Sequence, residues 1–192
     1  MIETERLILR PYVIDDFECY LAMLAQPTPH FPSRQMLSRE DAWMRILGAV
    51  GHWALFGYGL FAVIGKDSNR YLGEAGLMNL RRPIDERFRG CDEAGWYIVA
   101  EEQGKGLGSE ASRAAQDWYQ ANRGQFRTIC VIDTANGPSR ALANKLGYEP
   151  AASQGTVQGE LIVFERGSAL APPPPAEHIG GLYVDGAVSS AG

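Results

Sequence analysis

Gly95-Trp96-Tyr97-Ile98-Val99-Ala100-Glu101-Glu102-Gln103-Gly104-Lys105-Gly106-Leu107-Gly108-Ser109-Glu110-Ala111 carries an apolar, strand-like segment into a glycine turn and then into a helical pattern. Leu107, Ala111, Ala114, Ala115 and Trp118 recur on one helical face. Glycine permits positive φ and close approach of the backbone to a ligand. The first turn of a helix offers unpaired N–H groups and a partial positive charge. A strand, a glycine turn and a helix start in succession therefore make a phosphate site. A dinucleotide fingerprint would need GxGxxG in a first βαβ unit, but Ser109 stands at the third glycine position and the stretch lies past mid-chain. A GxxxxGK[ST] loop is absent. The pattern left is Gln103-x-x-Gly106-x-Gly108, which taken alone a tight strand–helix connection would also explain.

Working outward, residues 93–99 are read as the strand before this turn and 103–122 as the helix after it. Residues 58–64 and 71–80 read as a hairpin about the polar turn 66–69. Residues 4–10 read as a first strand, and Asp15-Asp16 open a segment with Phe17, Tyr20, Leu21 and Leu24 at helical spacing. Ser38 with Asp41 three residues on resembles a capping box, starting a helix that carries Trp43, Ile46, Leu47 and Val50. Downstream come a strand over 127–133, a short helix over 138–146 stopped by Gly147, and a last strand over 160–165. Residues 81–92 read as a polar loop. Antiparallel hairpin strands precede α/β crossovers, so the fold is mixed α/β and not doubly wound. One domain is expected over 1–168, and the Pro- and Gly-rich stretch 169–192 reads as an extended tail.

The chain has 192 residues, 45% of them apolar and 21% charged, which suits one globular domain. No apolar run approaches the roughly 20 residues that span a bilayer, and the charged opening is unlike a signal peptide, so a cytoplasmic location and no membrane partner are expected. A net charge of -5 disfavours nucleic acid and suits a cationic substrate. Cys19, Cys91 and Cys130 are widely spaced with no CxxC pair, and His30, His52 and His178 show no ligand spacing, so no disulfide framework or metal site is indicated. No GxSxG elbow supports a serine hydrolase.

A second segment accompanies the glycine turn: Asp133-Thr134-Ala135-Asn136-Gly137-Pro138-Ser139 leading to Lys145-Leu146-Gly147-Tyr148. Together with the opening Thr4-Glu5-Arg6-Leu7-Ile8-Leu9-Arg10-Pro11, with Gly57-Tyr58-Gly59-Leu60-Phe61-Ala62-Val63, Gly73-Glu74-Ala75-Gly76-Leu77 and Glu93-Ala94-Gly95-Trp96, it resembles in co-linear order the GNAT superfamily of N-acetyltransferases, in its RimJ/RimL-like branch. The resemblance covers about residues 4–150 and leaves the tail outside. It implies a mostly antiparallel sheet of six to seven strands, flanked by helices, with one splayed parallel pair, and direct attack of an amine on the thioester of acetyl-coenzyme A.

Carried over residue by residue, the resemblance gives the cofactor N–H groups around Ile98 and Val99 and the loop Gln103, Gly104, Lys105, Gly106, Leu107, Gly108 and Ser109. Asn136 matches the family asparagine beside the splay, and a helix-cap role for it is equally open. Ser139 matches a serine placed to hydrogen-bond the leaving thiolate, against an ordinary first-turn serine. Glu93 is the first candidate for the base, and Glu74 the second; a plain strand carboxylate remains the alternative for each. The acceptor is a peptide N-terminus or another primary amine; aminoglycosides or small metabolites are the rival acceptors, an idle acyl-CoA sensor is the rival class, and a homodimer stays open. Loops 26–35 and 81–92 should line the acceptor site.

Overall fold

The computed structural model describes residues 1–26, 37–81, 84–124, 127–156 and 159–167. Eight strands, β1 (Ile2–Glu3), β2 (Leu7–Arg10), β3 (Leu60–Gly65), β4 (Tyr71–Met78), β5 (Asp92–Ile98), β6 (Thr128–Asp133), β7 (Glu149–Thr156) and β8 (Gly159–Arg166), form one sheet in the order β1-β2-β3-β4-β5-β6-β8-β7. All neighbours are antiparallel except β5 and β6. Helices α1 (Phe17–Leu24), α2 (Arg39–Phe56), α3 (Leu107–Arg123) and α4 (Gly137–Lys145) cover it.

The apolar run of β3 makes sense once both faces of the sheet are covered. Ala62 and Ile64 pack with Tyr20, Met23, Leu24, Ala42 and Ile46 of α1 and α2. Phe61 and Val63 pack the other way, with Leu107, Ala111 and Ala115 of α3. Alternation along a strand sends successive side chains to opposite faces. The Ser38 capping box forms with Asp41, and α2 ends at Gly57 in the left-handed conformation, φ 72°. No helix among the described residues is long and apolar enough to cross a membrane.

Some boundaries move. The sheet has eight strands where six to seven were expected, because β1 and β7 were not foreseen. Strand β7 reads Glu-Pro-Ala-Ala-Ser-Gln-Gly-Thr, a composition that ordinarily argues against a strand. It forms as an edge strand paired only to β8, with an irregular register between Pro150 and Ala152, where a missing N–H is tolerated. β2 starts at Leu7 and not at residue 4, because the Thr4 hydroxyl is hydrogen-bonded to the backbone of Leu7 and turns the chain. α3 starts at Leu107 and not at residue 103, because Gly104 and Gly106 take left-handed φ of 76° and 81°. The loop before β5 holds a 3-10 turn, Glu86–Phe88, whose Phe88 is buried with Ile129 and Val163. The expected tail, 169–192, and residues 27–35 of the expected acceptor loop lie outside the described residues.

Candidate active site

β5 and β6 pair only at Asp92↔Thr128 and Glu93↔Ile129. Beyond that point β5 stays bonded to β4 as far as Ile98, and β6 to β8 as far as Asp133. Each strand remains in the sheet while the two part from each other, which opens a cleft between their C-terminal halves. In the β4–β5 ladder, the Val99 N–H donates to Leu72 O at 2.9 Å. With Gly73 opposite Ile98, antiparallel alternation turns the N–H and C=O of Trp96 and Ile98 toward β6. Of the two residues singled out at this edge, Ile98 faces the cleft, and the Val99 N–H is spent inside the sheet.

The glycine loop closes the wide end of this cleft. Gln103 Nε2 donates to Ile98 O at 2.7 Å, and the Gln103 N–H donates to Ala100 O. Gln103 therefore shapes the loop, with its backbone N–H and one of the two N–H groups of its side-chain amide already engaged. The first intrahelical bond of α3 runs from Glu110 N–H to Gly106 O, so the N–H groups of Leu107, Gly108 and Ser109 precede the ladder and have no intrahelical acceptor. Three such donors at the positive end of a 17-residue helix are what an anion site requires, which makes this helix start the candidate one. A Cβ on Gly108 would stand 3.6 Å from both Ile98 and Leu142, so this glycine brings β5, α3 and α4 together. Lys105 is exposed and pairs with Glu102 at 2.8 Å.

The opening segment straps the loop from outside. Arg6 donates to Lys105 O at 2.9 Å and to Glu110 Oε2 at 2.7 Å, and the Thr4 hydroxyl donates to Glu110 Oε1 at 2.6 Å. Burial works to raise the Glu110 carboxyl, but these bonds and the Arg6 charge hold it below the usual carboxylate range. From the sequence, Thr4 and Arg6 stand out only as part of the resemblance carried by Thr4 to Pro11.

Asn136 is buried and caps α4, its Oδ1 accepting the Ser139 N–H at 3.1 Å. Ser139 follows in the first turn of α4, half-buried. Glu93 and Glu74 are both buried, at 9% and 7% exposure, so neither is a plain surface carboxylate. Glu93 sits where β5 last touches β6. Glu74 lies opposite Tyr97 on the α1–α2 face and accepts the Tyr12 hydroxyl at 2.6 Å. Burial and the Glu74 charge push the Tyr12 hydroxyl well above 10, so it remains a donor. Glu93 and Tyr97 are four positions apart on β5, so the backbone positions of Glu93 and Glu74 are offset by roughly 13 Å along the strand direction. Gln26, the one described residue of the expected acceptor loop 26–35, accepts the Ala100 N–H on its Oε1 at 2.9 Å and ties the end of α1 to the end of β5, a link no local pattern announces.

The acetyltransferase (GNAT) domain family model matches residues 6–149. Among solved structures, a GnaT-family acetyltransferase of Bordetella pertussis is 28% identical with TM-score 0.80, over 86% of this chain and 98% of its own. The ribosomal L7/L12 α-N-protein acetyltransferase RimL, solved with coenzyme A, shares the fold at 16% identity and TM-score 0.69, over 85% and 96%. An aminoglycoside acetyltransferase with coenzyme A shares it at 17% identity and TM-score 0.65, over 83% and 93%.

Proposed function

The chain belongs to the GNAT family of acetyltransferases, and from that premise we propose that it transfers acetyl from acetyl-coenzyme A to the α-amine of a peptide or protein N-terminus. The parting of β5 from β6 onto a glycine-started helix carries this reading. Such a cleft takes a narrow, amide-bearing arm between two strands and leaves its pyrophosphate at the N–H groups of Leu107, Gly108 and Ser109, with Gly104, Lys105 and Gly106 giving the loop its shape and a nearby cation. The Ile98 N–H, turned to the cleft, bonds the arm or polarises the thioester carbonyl as negative charge develops there.

In the proposed reaction the amine nitrogen attacks the carbonyl carbon, the C–S bond breaks, and coenzyme A leaves as thiolate. The amine gives up a proton to Glu93, directly or through water. Ser139, in the first turn of α4, is the candidate donor to the departing sulfur. The terminal-amine acceptor is favoured by the Thr4-to-Pro11 opening, whose Thr4 and Arg6 brace the cofactor loop, and by likeness to a ribosomal-protein acetyltransferase. An α-amine near pKa 8 is also easier to deprotonate than a lysine amine near 10.4. Coenzyme A release with acetyl-coenzyme A tests the reading against N-terminal peptides, polyamines, amino acids and aminoglycosides. Turnover on peptides bears it out. Turnover confined to aminoglycosides or polyamines moves the acceptor to small amines, and binding without turnover on any amine points to an acyl-CoA sensor.

A further inference from the structure

The two strands that part are tied, at the place where they part, to one face of one helix. Asp92 begins β5 and is 3% exposed. Its carboxylate accepts hydrogen bonds from the Tyr119 hydroxyl of α3 and from Asn79 Nδ2 at 3.0 Å. Thr128 begins β6 and is 1% exposed. Its hydroxyl lies 2.9 Å from the Tyr148 hydroxyl, which in turn accepts Gln116 Nε2 of α3 at 2.9 Å. Asp92 and Thr128 stand opposite each other in the first of the two β5–β6 pairs. Gln116 and Tyr119 are three residues apart on α3 and so share a face. The hinge of the cleft is therefore bolted on both sides to a single turn of the helix whose other end is the candidate anion site.

These polar groups sit among the apolar side chains of Leu77, Ala94, Cys130, Ile132 and Phe164. Burying polar groups costs free energy unless every one is paired, and apolar residues of like size would often be as stable. Apolar contacts also leave orientation loose, whereas hydrogen bonds fix it. Two residue pairs of parallel ladder, the weaker kind of pairing, constrain the angle between β5 and β6 poorly. Burial and the facing Asp92 carboxylate push the Tyr119 hydroxyl far above its ordinary value, so it stays a donor at neutral pH.

We propose that Asp92–Tyr119 and Thr128–Tyr148–Gln116 form a clamp that sets where β5 and β6 part and how the cleft meets the loop at the start of α3. Tyr119 and Tyr148 are then positioning residues for the cofactor, an inference that rests on the cleft being the acetyl-coenzyme A site. The tyrosine of the Lys145-Leu146-Gly147-Tyr148 segment acquires a purpose that phenylalanine could not serve.

Tyr148→Phe and Tyr119→Phe, made singly and together, are the test, with Asp92→Asn in place of Tyr119→Phe should that variant not fold. Three readouts are taken on folded protein: amide hydrogen exchange without ligand, calorimetric titration with coenzyme A, and steady-state kinetics. Exchange should quicken over 92–98 and 128–133 relative to β3. The Kd for coenzyme A and the KM for acetyl-coenzyme A should rise about threefold or more, with the KM of the acceptor within about twofold. A lowered melting temperature with unchanged coenzyme A affinity overturns the clamp, as does uniform quickening of exchange across the sheet. Wild-type protein that binds no coenzyme A overturns the acetyl-coenzyme A reading instead, and the exchange comparison still decides whether the clamp holds the hinge.

Discussion

Ser139 is where a hydroxyl can be judged apart from a cap, because the α4 cap acceptor is Asn136 Oδ1 and not the serine. Ser139→Ala should therefore stay within about 0.5 kcal/mol of wild type in chemical denaturation. Its kcat should fall a few-fold while acetyl-coenzyme A affinity holds, the pattern of a contact made only in the transition state. Unchanged kcat would leave Ser139 an ordinary first-turn residue. Glu93→Gln should lower kcat on the order of a hundredfold and flatten the acidic limb of the pH profile. If Glu93→Gln is fully active while Glu74→Gln is not, the base sits beside Tyr12 on the other part of the sheet. His52 gives the fold its own pH dependence. Its Nε2 accepts the Asn79 N–H at 3.0 Å, so Nδ1 donates to Tyr58 O at 2.7 Å and the ring is neutral. Burial lowers its affinity for a proton below the ordinary 6.5. The unfolded chain then binds the proton first as pH falls. Stability is fully present above 6.5 and declines below it, down to the depressed folded value. Urea midpoints at about pH 7.5 and about pH 5.5 should differ less in His52→Gln than in wild type; equal differences would sink this assignment.

At the level of elements, the glycine loop separates two demands that the sequence presents as one. Gly106 has φ 81°, so any side chain there strains the backbone before it meets a ligand. Gly108 has an ordinary backbone, and an added methyl would only touch Ile98 and Leu142 at 3.6 Å. Gly108→Ala is thus the cleaner probe. It should fold normally and weaken coenzyme A on the order of tenfold, about 1.4 kcal/mol, because the methyl enters the angle between β5 and α3. Normal affinity in the folded variant would reduce the loop to a connector. Elements with a strong periodic pattern were readable in advance: the α3 stripe from Leu107 to Trp118 and the Ser38–Asp41 box both took the places their spacing implied. β7 was not readable, since an edge strand of Pro, Ala, Ser and Gly draws its stability from β8 and not from its own side chains. The strap from Thr4 and Arg6 to Glu110 and the tie from Gln26 to Ala100 were equally hidden, since each joins residues far apart in sequence.

At the scale of the sheet, the order of strands puts the cleft between β5 and β6, the one place among the described residues where a parallel neighbour replaces an antiparallel one. The α1–α2 layer backs one face and α3 the other, so anything held in the cleft touches strands that carry both cores. A ligand there should stabilise the entire domain and not a local segment. Acetyl-coenzyme A binding only to the folded state adds roughly 2.7 kcal/mol at a hundred times its Kd. For a domain of this size each kcal/mol moves the melting midpoint by roughly 2–4 °C, so the expected shift is about 5–10 °C. NAD tests the specificity of that shift, since it too carries a pyrophosphate but ends in a ribosyl nicotinamide and not a narrow amide arm. Ser109 stands where a dinucleotide loop would have its third glycine, and the Ile98 N–H faces a cleft shaped for an arm between strands. A thermal scan at matched concentrations should therefore show a saturable shift with acetyl-coenzyme A and little with NAD. Equal shifts would mean that the helix start reads pyrophosphate alone, and the assignment of the cleft between β5 and β6 would fall with it.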